Sequence, residues 1–316
     1  MLWIPCGLQA QELFPLSEPA STLPKNTLGV RLFSETYKEV NQWRNMSALR
    51  LMYGLRSNWT VYLTGIASNH HGEKMPVEFP FHNTPERGAY YPYKFNGFHL
   101  YSKFRMLSID APKAHFRLAV FAEATYVKTT HHETEPDLKM GDNKGIGGGI
   151  IATYLKQKFA VSATLAGIFP FSAEGFSPDP ITVLPDMPVR THYGNALQYQ
   201  LSVGYLVLPL NYKSYQQTNL NAYLEVHGKA MKHAEVDLFV GQANEYRLDP
   251  LRYPPALQSG YFVDLSPGLQ LILNSNTRID ASLSFPLLGK SYARLYPVYT
   301  LGLQHYFYLG SSSKRK

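Results

Sequence analysis

The 316-residue sequence predicts an all-β protein, a transmembrane antiparallel up-and-down β-barrel of about twelve strands. Three observations predict it: a composition poor in charge and rich in aromatic residues, a period-two alternation of apolar and polar residues, and connections that alternate in length. Charged residues make up 17% of the chain, against roughly 25% in an ordinary soluble domain. The 45% of apolar residues excludes intrinsic disorder. No uninterrupted apolar run approaches the ~18 residues of a transmembrane helix.

The alternation is the mark of strands with two unlike faces. In 59–68, for example, Trp59 and Leu63 share one face, and Thr60 and Thr64 share the other. Twelve such segments are predicted, at residues 26–36, 46–56, 59–69, 95–108, 114–128, 143–155, 158–169, 196–210, 216–234, 258–273, 277–287 and 294–309.

The connections between these segments alternate between tight turns and long loops. The long ones are residues 70–94, 129–142, 170–195 and 235–257. Short periplasmic turns at one rim and long extracellular loops at the other are typical of an outer-membrane barrel. A secreted β-sandwich also alternates apolar and polar faces, but most segments here are longer than the usual 5–6 residues of soluble strands. The pattern therefore favours the bacterial outer membrane as the location.

The ends of the chain are expected to lie outside this barrel. Residues 1–11 are interpreted as the remnant of a truncated signal peptide, and the one cysteine of the chain, Cys6, lies within it. Residues 12–25 are expected to form a periplasmic N-terminal segment. Residues 26–309 form the single barrel, and residues 310–316 form a basic C-terminal tail. Without another cysteine, backbone pairing and packing must stabilise the fold.

Three features carry a resemblance to a known group: the signal end Leu8-Gln9-Ala10-Gln11, the hairpin rhythm, and the stretch from Gly268 to Asn276. On these features the chain resembles the small outer-membrane barrels of Bacteroidetes, including the aromatic-compound transporter-like barrels. The resemblance runs from Leu28 to Phe307. It implies a barrel surrounded by outer-membrane lipid, and it brings no catalytic motif. The aromatic-ended last strand is the type of signal that the barrel-assembly machinery recognises, so lipid and that machinery are the expected partners.

The polar faces of the strands are expected to line the lumen. The predicted solute-facing residues are Arg31, Arg50, Lys103, Arg105, Arg117, Glu123, Glu225, His227, Arg278 and Asp280. Folding each hairpin about its turn places Arg105 opposite Arg117, His99 near Glu123, and Asp280 near Gln270.

Two interpretations of this lumen stay open. One is a narrow channel or transporter for small solutes, in which Lys103, Arg105 and Arg117 form a basic constriction that favours anions. The other is a lumen filled by paired charges and inward aromatic residues such as Tyr62 and Tyr101. A filled barrel would suit a non-conducting accessory subunit that docks an outer-membrane protein complex through its long loops.

Other functions are not expected. His70, His71, His131 and His132 are weak candidates for zinc or copper ligands, but adjacent histidines on an extended chain point in opposite directions, so no metal or cofactor is predicted. The lipid-hydrolysing barrels require a histidine two residues before the serine. No histidine lies two residues before Ser68, so no enzyme is predicted. The net charge of +7 comes from dispersed residues, so nucleic acid is not an expected partner. The Gly145–Gly149 run opens a strand and predicts close strand packing.

Overall fold

The computed structural model describes residues 14–39, 41–69, 92–128, 135–177, 187–211, 217–240, 244–247 and 255–309. Among them, no helix is long and apolar enough to cross a membrane. Predicted metal candidates His70, His71, His131 and His132 lie outside these residues, as do residues 1–13 and the basic tail from 310.

Twelve antiparallel strands form a closed barrel, as the sequence predicts. They are β1 (Thr27–Glu39), β2 (Gln42–Arg56), β3 (Trp59–Ser68), β4 (Lys94–Ala111), β5 (Ala114–Val127), β6 (Gly145–Lys156), β7 (Phe159–Pro170), β10 (Ala196–Leu208), β11 (Asn219–Met231), β14 (Gly260–Leu273), β15 (Thr277–Leu288) and β16 (Val298–Tyr308). Pairing of β1 with β16, from Thr27–Tyr308 to Thr36–Tyr299, closes the barrel. Closure gives the backbone groups of both end strands a partner where water is excluded.

The two faces of each strand differ as the alternation predicts. Leu201 is 48% exposed, and its neighbour Ser202 is fully buried. The same contrast separates Leu63 from Thr64. The outer surface is therefore an apolar wall suited to lipid, and the polar faces turn inward. Close packing also explains the glycine run, because a Cβ on Gly149 would lie 2.2 Å from the Leu165 carbonyl oxygen.

Four short strands form a second sheet outside the barrel, in the long loops expected at 170–195 and 235–257. They are β8 (Ala173–Ser177), β9 (Met187–His192), β12 (Glu235–Val240) and β13 (Asn244–Arg247), in the order β13-β12-β9-β8. A 3-10 helix follows at Pro255–Leu257. Strands of four to six residues carry too few alternations to be recognised. Their central pairing, β9 with β12, also joins residues far apart in sequence.

The predicted pairing of Arg105 with Arg117 is wrong. A register shift lies between Arg105 and Leu107, so Arg105 pairs with Ala119, and Arg117 pairs with Ser108. One extra residue on β4 reverses the facing of everything beyond it. Hairpin folding from an assumed turn cannot detect such a bulge.

Candidate functional site

Residues 14–24, here called the plug, cross the interior of the barrel. The periplasmic location expected for this stretch is wrong, because its contacts lie inside the barrel. Main-chain N–H groups of the plug donate to side chains of the barrel wall: Leu16 and Ser17 to Glu225 (both 2.9 Å), Ala20 to Thr153 (2.8 Å), and Leu23 to Thr60 (2.9 Å). These contacts come from opposite sides of the wall and span the lumen.

Four of the predicted lumen cations bind the plug. Their contacts are Arg31 to the Pro15 carbonyl (2.6 Å), Arg50 to Glu18 Oε1 (2.6 Å), Lys103 to the Pro19 carbonyl (2.7 Å), and Arg117 to Ser21 Oγ (2.7 Å). Hydrogen bonds from charged donors are among the strong ones in proteins. The cations therefore hold the segment that fills the lumen.

Glu18 is the one charged residue of the plug. Burial would raise the pKa of its carboxyl, but the charges of Arg50 and Lys103 outweigh burial and lower that pKa to about 2. Lys103 Nζ lies 3.7 Å from Glu18 Oε2. The Glu18 carboxylate is therefore ionised throughout the neutral pH range and fixes the plug to two wall cations.

Several polar side chains of the wall pair with one another. Arg31 Nη2 lies 3.3 Å from Asp280 Oδ2, and Arg278 Nε lies 3.1 Å from the same oxygen. Gln270 Nε2 donates to Asp280 Oδ1 at 2.7 Å, as the hairpin register predicts. His99 Nε2 is 3.0 Å from Glu123 Oε2, also as expected. This part of the lumen is a polar interior held together by paired charges and hydrogen bonds.

Arg105 does not join these residues. Its guanidinium donates to the Ser57 carbonyl at 3.0 Å, in the β2–β3 turn. Lys103 and Arg117 both bind the plug instead of lining an open passage. The predicted three-cation constriction is therefore wrong in its arrangement, because Arg105 lies beside the β2–β3 turn, where its main-chain N–H also donates to the Asn58 carbonyl.

The extracellular end is covered by two loop segments, here called the cap: residues 135–143 and 289–297. Buried acidic groups join the cap to itself and to the wall. The contacts are Glu135 with Ser291 Oγ (2.7 Å) and Tyr292 N (3.0 Å), Asp137 with Lys229 (2.7 Å) and Arg294 (3.5 Å), Glu35 with Arg294 (2.7 Å), and Asp264 with the Tyr296 hydroxyl (2.7 Å). Leu138 packs beneath them against Ile168 and Phe262.

Two carboxyls of the cap have opposite pKa shifts. Burial would raise the pKa of Asp137, but Lys229 and Arg294 outweigh burial and hold it well below its usual range. Burial raises the pKa of Asp142 to about 7, and the negative charge of Asp137 adds to that effect. The cap therefore contains a carboxyl that changes charge near neutral pH.

A cavity of about 140 Å³, here called the chamber, lies between the plug and the cap. Pro15 and Glu18 of the plug line it on one side, and Asp137 and Lys139 of the cap line it on the other. His227, a predicted solute-facing residue, also lines it. Sequence reasoning missed the plug and cap residues, since neither segment has a strand period that would fix which way its side chains point.

A second group of polar side chains was missed at the extracellular rim. Ser172 Oγ is 2.7 Å from His192 Nδ1, and His192 Nε2 is 3.2 Å from Asp237 Oδ2. Ser172 lies twenty residues from His192 in sequence, so the search for a nearby His–Ser pair could not find it. Among the described parts of the chain, no group of three or more His, Cys, Asp or Glu could hold a metal ion.

Fold and site together define a twelve-stranded β-barrel whose lumen is crossed by the plug and whose extracellular end carries the cap. No family model matches the sequence, and no curated protein matches it. The fold is similar to that of an outer-membrane channel from Pseudomonas putida F1, with a TM-score of 0.54 and 13% identity over 91% of this chain and 98% of that one.

Two further solved structures match more loosely. The CymD monoaromatic hydrocarbon channel has a TM-score of 0.49 and 11% identity, over 94% of this chain and 93% of that one. Outer-membrane phospholipase A from Escherichia coli has a TM-score of 0.36 and 8% identity, over 92% of each chain. At sequence identities this low, similarity to a solved structure shows the fold alone. The protein is an outer-membrane β-barrel, and a Bacteroidetes source stays a prediction.

Proposed function

We propose that this barrel is a gated outer-membrane channel or transporter for small solutes, closed at rest by its plug. The observation that carries the proposal is the kind of contact that holds the plug. Its main-chain groups bind side chains of the wall, such as Thr153 and Thr60, at 2.8 and 2.9 Å. It adds no strand to the sheet. A segment of this kind can leave without breaking any strand pairing of the barrel.

The charges that the plug covers favour anions as the solutes. Its departure removes one negative charge, that of Glu18, and withdraws the acceptors that Arg50, Lys103 and Arg117 now contact. Glu225 loses its plug donors in the same step. The passage thus gains positive charge where the reduced dielectric strengthens the field.

The test is planar-bilayer conductance of the purified protein with and without residues 14–24. We expect the wild type to be closed most of the time and the deletion variant to conduct steadily. In a salt gradient, the reversal potential of the deletion variant should show selectivity for anions. A folded deletion variant that does not conduct would contradict the channel and favour the non-conducting accessory role. For that role, we expect a stoichiometric partner protein in pull-downs from membranes.

The contacts of Ser172 with His192 and of His192 with Asp237 support a second candidate function, hydrolysis of an ester at the extracellular rim. A serine hydroxyl bonded to an imidazole, which a carboxylate orients, is the arrangement of a serine nucleophile. Against it, the His192 side chain is 41% exposed, and solvation weakens such a site. Labelling of Ser172 by a fluorophosphonate, lost in Ser172→Ala and His192→Gln, would establish this function. Absence of labelling would exclude it.

A further inference from the structure

The chamber between plug and cap combines apolar walls with an unbalanced charge. Leu16, Phe33, Met140 and Phe262 contribute its apolar surface. Its charged lining consists of five cations (Arg31, Arg50, Lys139, Lys229, Arg294) and four carboxylates (Glu18, Glu35, Asp137, Asp264), so the formal sum is +1. A site of this composition favours a ligand that carries one negative charge and an apolar body.

Each of the four carboxylates already has a donor. Glu18 binds Arg50 at 2.6 Å, Glu35 binds Arg294 at 2.7 Å, Asp137 binds Lys229 at 2.7 Å, and Asp264 accepts the Tyr296 hydroxyl at 2.7 Å. Their negative charge is therefore largely compensated by neighbouring groups. A cationic ligand would therefore find little uncompensated negative charge in the chamber.

Lys139 is the cation that differs. It lines the chamber from the cap, and within the described chain it makes no direct hydrogen bond or ion pair, although its charge acts at longer range on the Glu18 carboxyl. Two other polar groups that line the same chamber are in a similar state. Gln198 is 9% exposed and has no hydrogen bond within the described chain, and His227 Nδ1 is buried without a partner. Buried polar groups in native proteins are bonded to protein or water in more than roughly nine cases in ten. An ammonium and an amide donor thus face the same cavity.

We propose that the chamber binds a small monocarboxylate with a compact apolar body, whose carboxylate is held by Lys139. The volume of about 140 Å³ is close to that of engineered cavities of roughly 150 Å³ that hold benzene. The carboxylate would accept hydrogen bonds from Lys139 Nζ and the Gln198 amide. This inference rests on the proposed channel and names the class of solute that rests in it.

The test uses three probes with the same fluorinated body and different charge: 4,4,4-trifluorobutanoate, 4,4,4-trifluorobutanol and 4,4,4-trifluorobutylammonium. Their binding to the full-length protein in detergent is followed by ¹⁹F NMR titration. We expect saturable binding of the carboxylate at least tenfold tighter than that of the alcohol, and no saturable binding of the ammonium. Equal affinity for carboxylate and alcohol, or tighter binding of the ammonium, would overturn the proposal.

Variants locate the site. Lys139→Met should lower carboxylate affinity to that of the alcohol, and Lys139→Arg should restore most of the preference. Lys144→Met is the matched control, because the Lys144 ammonium lies 5.3 Å from the Tyr126 ring centroid and is absent from the chamber lining. Unchanged carboxylate binding in Lys139→Met, or equal losses in the two methionine variants, would overturn the assignment.

Failure here is distinguishable from failure of the channel. Binding is measured on the closed protein and needs no conductance. A conducting plug deletion together with a wild type that binds none of the probes would refute the carboxylate site and leave the channel. Lys139-dependent binding without conductance in the deletion variant would refute the channel and leave the site.

Discussion

The plug inside the barrel and the cap at its extracellular end are held in place by different chemistry. The plug carries a single charge and is held largely through its main-chain groups and hydroxyls. The cap carries Glu135, Asp137, Asp142 and Arg294, all buried or half-buried among one another. The main-chain groups of the plug do not titrate and its one carboxyl, Glu18, stays ionised near neutral pH, whereas the cap contains coupled carboxyls, one of which has a pKa of about 7.

The pKa values of Glu18 and Asp142 define the pH range over which the plug and the cap should differ. Glu18 has a pKa lowered to about 2, so its contribution to plug binding is fully present above its ordinary value of 4.5 and is lost as the pH falls from there through about 2. Asp142 has a pKa raised to about 7, so its neutral form suits the closed cap, and stability is lost as the pH rises from the ordinary value of 3.8 through about 7. Between pH 5 and pH 8, the cap should respond and the plug should not.

The largest expected effect is on the cap. Arg294→Met removes the partner of both Glu35 and Asp137. Loss of one member of a buried ion-pair network costs about 3–5 kcal/mol, since it strands buried charge. Hydrogen exchange over residues 135–143 should accelerate strongly, and exchange over residues 14–24 should stay unchanged. The control is Arg190→Met, whose surface pair with Glu174 is worth about 0–1 kcal/mol. Equal acceleration of plug and cap would show that the two closures are one unit.

The next effect is the pH response of the cap. Raising the pH from 5 to 8 should weaken cap closure by about 3 kcal/mol, because Asp142 ionises in a buried site near Asp137. The measurement is hydrogen exchange over residues 135–143, corrected for the intrinsic pH dependence of exchange. Asp142→Asn should abolish the response. A response that persists in Asp142→Asn would place the titrating group elsewhere.

A smaller effect is expected from the charge of the plug. Glu18→Gln keeps the shape but removes the charge that Arg50 and Lys103 contact, and it should loosen the plug by about 1.5–3 kcal/mol. Exchange over residues 14–24 should rise while the cap keeps its protection. Tyr62→Phe, which removes the 3.3 Å contact of the Tyr62 hydroxyl with Glu18 but keeps the carboxylate and the ring, is the control and should have little effect. If the control loosens the plug as much, packing rather than charge holds it.

The smallest effect comes from a single hydroxyl. Ser17 Oγ is 2.6 Å from Ser202 Oγ and donates to Glu225 at 2.7 Å. Ser17→Ala keeps the main-chain bond to Glu225 and should cost about 1 kcal/mol of plug binding. A loss of plug binding as large as that in Glu18→Gln would contradict the conclusion that the Glu18 carboxylate contributes more than the Ser17 hydroxyl.

The barrel could be predicted from sequence, and its closures could not. Long strands repeat the alternation many times, so their facing is over-determined, and the Gln270–Asp280 contact followed from hairpin register. The plug segment contains Pro15, Pro19 and Pro24 and has no period, so nothing local indicates what it binds. The Arg105 prediction was wrong because a bulge of one residue leaves no clear signal in an alternating pattern.

The central claim is that solute passes only when the plug leaves its contacts. Ser17 Oγ and Ser202 Oγ lie 2.6 Å apart, so Ser17→Cys with Ser202→Cys can form a reversible disulfide between plug and wall. The pair is built into a Cys6→Ser, Glu18→Gln chain, in which the plug is loosened, and conductance is recorded before and after reduction. We predict a closed barrel when oxidised and frequent openings when reduced. Openings that continue unchanged with the disulfide intact would contradict the account.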